Sequence, residues 1–207
     1  MDGKSLDGGF HDAPVEAARA FRAAMSAMAR PGRIEPLDAA TPPAPTSKAA
    51  GSLLLTLADH ETGVYLAGDH DCAAMRDWLT FHTSAPLVAP QDAAFALGAW
   101  EALLPLSSYP VGTPEYPDRS TTLIVEMEDL HGEGALLKGP GIKEAARLNL
   151  PDANLMQANN RHFPLGLDFF LTCGSRVAAL PRSTKVMALP RSTKVMALPR
   201  STEVASD

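Results

Sequence analysis

Four groups of residues have the types and spacing from which chemistry could be built. Asp59-His60-Glu61 and His70-Asp71-Cys72 consist of metal-ligand residues, and if the two runs met in space they could hold zinc or another divalent ion. Adjacent residues point in different directions from a helix or strand, so neither run converges on an ion alone; caps and solvated turns are the simpler reading. Gly139-Pro140-Gly141, before Ile142, Lys143 and Glu144, has the form of a glycine turn opening a helix. Free amides there could hold a phosphate or phosphonate, with Lys138, Lys143 and Arg147 adding positive charge; the alternative is a plain turn. Asp168 closes the run Phe163-Pro164-Leu165-Gly166-Leu167-Asp168, where Pro164 and Gly166 shape a turn into an apolar strand. A carboxylate at the mouth of a sheet can act as a general base, but more often it caps a turn by accepting from local amides.

The local engines of common enzymes are missing: there is no G-x-S-x-G, G-x-x-x-x-G-K-[ST], G-x-G-x-x-G, H-E-x-x-H or C-x-x-C. Cys72 and Cys173 stand about a hundred positions apart in apolar surroundings and read as two buried thiols. The net charge of −6 argues against a partner made of nucleic acid, which needs a dense cationic face. The absence of a leader pattern or a long apolar run predicts no membrane association and a cytoplasmic protein.

The elements that must position these groups can be read from periodicity. Val15, Ala18, Phe21, Met25 and Met28 form one stripe at helical spacing, ended by Pro31-Gly32, and the stripe is expected to pack in the core. Prolines make Pro36–Thr46 an extended connector, and Ser47–Ala58 reads as a second helix, apolar on most of its surface. Asp71 is expected to cap a third helix carrying Met75, Trp78, Leu79 and Phe81. Strands are predicted at Val64–Leu66, Ala93–Leu97, Thr121–Met127, Ala135–Lys138, Phe169–Thr172 and Val177–Leu180. Tyr109–Asp118, with three prolines and a glycine, is a loop that is either functional or mobile. Close strand pairs without an intervening helix must be antiparallel, so the reading is an α/β fold, a three-layer-like mixed sheet flanked by helices.

The C-terminus carries a nine-residue repeat. Ala179–Met187 reads ALPRSTKVM, Ala188–Met196 repeats it, and ALPRSTEV follows from Ala197. Three such units cannot bury a core of their own. One domain over residues 1–187 is therefore expected, with 188–207 a duplicated and dispensable tail.

Several segments, in order, resemble the H-subunit family of the bacterial carbon-phosphorus lyase system. They are Phe21-Arg22 with Met25 and Met28-Ala29-Arg30-Pro31-Gly32; Leu54-Leu55-Thr56-Leu57-Ala58-Asp59; Phe81-His82-Thr83 with Ala85-Pro86-Leu87-Val88; Gly139-Pro140-Gly141-Ile142; Phe163 to Asp168; and Leu180-Pro181-Arg182-Ser183-Thr184. The resemblance singles out Asp59, His82, Phe163, Pro164, Gly166, Asp168, Pro181 and Arg182 as motif residues. It implies an accessory subunit of phosphonate breakdown with no established reaction of its own, forming homodimers and a complex with the G, I, J and K subunits, of which J supplies the radical chemistry. It also implies a fold similar to a shortened major domain of pyridoxal-phosphate-dependent transferases, without the cofactor. Lys4, Lys48, Lys185 and Lys194 lie in loose or repeated segments and Lys138 and Lys143 flank a turn, so no lysine is well placed for a Schiff base. A small phosphonate- or nucleotide-binding protein using Gly139, Gly141 and Lys143 is the rival reading, and a metallohydrolase on His60 and His70 a third.

Overall fold

The computed structural model describes residues 6–187. Nine strands and four α-helices are ordered β1 (Glu35–Pro36), α2 (Lys48–Leu57), β2 (Val64–Leu66), α3 (Ala73–Thr83), β3 (Phe95–Ala99), β4 (Thr122–Glu126), β5 (Ala135–Lys138), β6 (Ala146–Leu148), α4 (Ala153–Asn160), β7 (Asp168–Cys173), β8 (Arg176–Leu180) and β9 (Lys185–Met187), all preceded by α1 (Ala13–Ala29). The main sheet runs β1-β8-β7-β4-β3-β2, with β2, β3, β4 and β7 parallel and β8 and β1 antiparallel to their neighbours. A smaller antiparallel sheet has the order β6-β5-β9.

The two-residue period of the strands divides the core between the faces of the main sheet. Leu97, Ile124, Phe170, Val177 and Ala179 point to one side, where α1, α2 and α3 supply Ala20, Ala24, Leu53, Leu54, Met75, Trp78 and Leu79. Ala96, Leu123, Val125, Phe169, Leu171 and Ala178 point to the other, where Trp100, Leu103, Met156 of α4 and Leu137, Leu148 and Val186 of the small sheet cover them. The mixed α/β reading with flanking helices holds, and the predicted strands are found within about two residues of their expected bounds.

Four expectations are corrected. Most of the α1 stripe is turned outward: Phe21 and Met25 are 49% and 52% exposed and Val15 43%, while Ala20, Ala24 and Ala27 are buried and, of the stripe, Met28 packs against the core. Small side chains let α1 lie close against α2 and β8, so the alanine face packs and the bulky face does not. Asp71 does not cap α3; its carboxylate is held by the Arg76 guanidinium, with Oδ2 accepting from Nη2 at 2.6 Å, and Cys72 stands at the N-cap without a side-chain bond. Cys72 and Cys173 are free and only half-buried. The glycine turn at 139–141 opens no helix, because the chain after it must return as β6 to pair with β5. The copies of the repeat beyond Met187 lie outside the described residues.

Candidate functional site

Two of the motif segments, 163–168 and 180–184, meet at the amino end of β7. Asp168, the first residue of β7, accepts on Oδ1 from the Arg182 amide at 2.7 Å and from Arg182 Nε at 3.2 Å. Oδ2 accepts from Nε at 3.1 Å and from Nη2. The same guanidinium donates to the Pro117 carbonyl and the Ser120 hydroxyl. With side chains only 14% and 19% exposed, Arg182 and Asp168 form a mostly buried, fork-to-fork pair whose remaining donors tie down the 109–118 loop. That loop is held at its other flank by a bridge between Val111 and Ser120 and by Arg119 stacked 4.1 Å over the Tyr116 ring.

Asn159, at the end of α4, completes the junction. Its side-chain oxygen accepts from the Leu167 amide at 2.8 Å and its nitrogen donates to the Leu167 carbonyl at 2.8 Å; neighbouring Asn160 donates to the Arg182 carbonyl at 2.7 Å. Gly166 sits at φ +121°, where a Cβ would press on the Asn159 side-chain oxygen at 3.0 Å, so the turn that delivers Asp168 needs glycine. Pro181 closes the turn after β8 by accepting from the Thr184 amide at 2.9 Å, and Phe163 projects outward, 58% exposed. Beside this junction lies a mainly apolar cavity of about 180 Å³ between Leu106, Val111, Leu155, Ala158, His162 and Leu167.

In chemical terms the junction is a clamp. Arg182 has an acceptor on every side and Asp168 accepts four bonds from one residue, which leaves neither a free cation for an anionic ligand nor a carboxylate positioned to take a proton. The general-base reading of Asp168 therefore has no geometric support, and the local turn cap is not what the side chain makes either: its partner is Arg182, 14 residues away on the far side of β8.

The other predicted residues are placed apart. Asp59 makes a local turn, its Oδ1 accepting from Thr62 Oγ1 at 2.6 Å and the Glu61 amide at 2.9 Å, bonds that hold its pKa below the ordinary value. His60 is exposed, whereas His70 is buried, with Nε2 lacking a partner among the described residues; burial lowers its pKa. Among the described residues no three His, Cys, Asp or Glu side chains are grouped to hold a metal. His82 Nε2 donates to the Leu6 carbonyl at 2.9 Å while Trp78 donates to that of Asp7 at 3.0 Å, so this part of α3 pins the N-terminal segment. Gly139 and Gly141 lie in the β5–β6 hairpin with Lys143 exposed; a Cβ on Gly141, at φ +79°, would overlap the Ala29 carbonyl. Two motif segments, 28–32 and 139–142, are thus explained by packing on each other.

One chemically notable residue was not anticipated. Glu126 ends β4 in a largely buried position, its carboxylate accepting from the Ser47 amide at 2.6 Å and Thr172 Oγ1 at 3.1 Å. Burial pushes its pKa up against those bonds. Ser47 is the N-cap of α2, so Glu126 anchors the positive end of that helix. A lone Glu ending a β-branched strand carries no sequence signal for such a role.

Residues 8–187 match the family model described as bacterial phosphonate metabolism protein, PhnH. The chain belongs to the PhnH family. It is 43% identical over 189 residues to the alpha-D-ribose 1-methylphosphonate 5-triphosphate synthase subunit PhnH of Rhizobium meliloti (strain 1021), covering 86% of this chain and 94% of that protein. It is 31% identical over 193 residues to HtxG of Stutzerimonas stutzeri, provisionally named a C-P lyase subunit protein, covering 85% of this chain and 93% of that one. The PhnH match ends at Met187, the last residue of β9.

Proposed function

We propose that this PhnH chain is an accessory, structural subunit of a carbon-phosphorus lyase assembly for phosphonate catabolism, without a complete active site of its own. The observation that carries the reading is a contrast. The carboxylates of Asp59 and Asp168, the Arg182 guanidinium and the His82 ring are committed to internal bonds, while Phe21, Met25, Phe81 and Phe163 stand about half or more exposed. Large apolar side chains left in water on such a chain suit contact with other chains. The names of the Rhizobium and Stutzerimonas relatives, both subunits, agree with this.

The partners that fit are a second copy of the chain and the G, I, J and K subunits, with the outward face of α1 as the leading contact surface. The fold is read as a shortened relative of the pyridoxal-phosphate-dependent transferase major domain that works without the cofactor; Lys48, Lys138, Lys143 and Lys185, the lysines among the described residues, are all exposed. A cytoplasmic location follows from the same assignment, and no helix among the described residues is long and apolar enough to cross a membrane. The working domain ends at Met187, with 188–207 as repeated tail. Complementation tests the reading: the gene should restore growth on a phosphonate as sole phosphorus source to a strain lacking its own H subunit. Failure to do so, with the protein soluble and folded, would contradict it.

A further inference from the structure

The small sheet has one face in the core and one in water. Leu137, Leu148 and Val186 are buried against the main sheet, so the two-residue period turns Leu136, Lys138, Arg147, Lys185 and Met187 outward together. Arg147, Leu136 and Met187 stand in one row across β6, β5 and β9, and Lys138 stands directly opposite Lys185 in the next. All three cations of this face are exposed, as is Lys143 in the hairpin beside it, and Met187 is 46% exposed. Like charges directly opposite each other on neighbouring strands are destabilising. Among the described residues no carboxylate offsets them: Lys138, Lys143, Arg147 and Lys185 enter no ion pair, and Arg147 donates to the Gly134 carbonyl at 3.3 Å. In a chain of net charge −6, this is a concentration of positive charge that the fold itself does not need.

We propose that the outer face of the small sheet is a docking surface for an acidic patch on another lyase subunit, an inference that rests on the subunit reading above. Charge complementarity argues for it: carboxylates seated over Lys138 and Lys185 remove their repulsion, and Leu136 and Met187 supply apolar contact beside them. A pleated sheet face is flat, so it suits a broad surface rather than one small anion. A polypeptide suits it better than nucleic acid, because a phosphate backbone needs a denser cationic face and is repelled by the chain's net charge. These cations are not furniture for an anion-binding glycine turn. Gly141 lies against the Ala29 carbonyl, and Lys138 and Arg147 belong to the strands.

Stability and association should move in opposite directions on one substitution. Lys138→Glu places a carboxylate opposite Lys185, so Tm of the full chain alone should rise by about 1–3 °C. When the tagged chain is co-expressed with the other lyase subunits, Lys138→Glu should bring down at least about tenfold less of them than wild type does. Arg147→Glu, on the neighbouring strand, should lose capture likewise, so that a folding defect in one variant does not decide the outcome. Lys48→Glu makes the same charge change on α2, across the main sheet, and should capture as wild type does. Undiminished capture by Lys138→Glu and Arg147→Glu overturns this surface and leaves the subunit reading intact, whereas a wild-type chain that captures nothing while the other subunits assemble removes both. Loss of wild-type capture on nuclease treatment would give the face to nucleic acid. A solution mass for the chain alone that differs between Lys138→Glu and wild type would give it to a second copy, and either result also overturns the proposal.

Discussion

At the scale of single residues, the clamp and the buried carboxylate have different consequences. Asp168→Ala strands the Arg182 guanidinium in a mostly buried site. A loss of about 2–3 kcal/mol in urea unfolding is expected, below the full cost of breaking a buried pair because some exposure remains. Glu126 is a pH-dependent liability. Its folded pKa is raised, so its stabilising share is complete below the unfolded value near 4.5 and is lost as pH rises through the folded value. Glu126→Gln keeps an acceptor for Ser47 while removing the charge; its stability relative to wild type should improve from pH 4 to pH 8, and a difference constant with pH would contradict the assignment. Asp168 could be picked out from sequence because proline and glycine announce a turn before a strand, but its partner could not, since Arg182 lies 14 residues away. Glu126 was hidden for a related reason: burial and a helix cap come from tertiary contacts that no local pattern records.

At the scale of elements, periodicity located α1 but misjudged which face packs. Two apolar faces share the helix, and close approach to α2 and β8 selects the alanines over Phe21 and Met25. Both α2 and the apolar strands were legible because their partners cover them nearly all round. The short pieces were not: β1 is two residues including a proline, β6 has three residues, α4 carries few apolar side chains, and β9 sits inside the repeat. The hairpin at 139–141 shows why a glycine turn is ambiguous. Gly141 serves close approach to the end of α1 and Gly139 to the 183–185 turn, so Gly141→Ala should cost about 1–3 kcal/mol through the left-handed backbone and the overlap with the Ala29 carbonyl. Wild-type stability in that variant, by thermal or urea unfolding, would show that the loop yields freely. A Gly141 substitution is accordingly a probe of folding before it is a probe of anion binding.

At the scale of the whole molecule, the chain combines an internally bonded Asp168–Arg182 junction with an outward apolar face on α1. The order of the family segments along the chain carried the assignment further than any one of them, and four of the six meet in pairs in the fold: 28–32 with 139–142, and 163–168 with 180–184. The surfaces between chains left no such trace, since an exposed Phe21 and a buried one look alike in a periodic stripe. The most direct measurement is co-expression of the tagged chain with the other lyase subunits, followed by affinity purification and mass determination of the eluted complex, for wild type and for Phe21→Glu/Met25→Glu. The account predicts co-elution in fixed stoichiometry for wild type and loss of the complex for the variant, with Tm unchanged because both side chains face solvent. A wild-type chain that elutes without the other subunits, under conditions where those subunits assemble with one another, would contradict it.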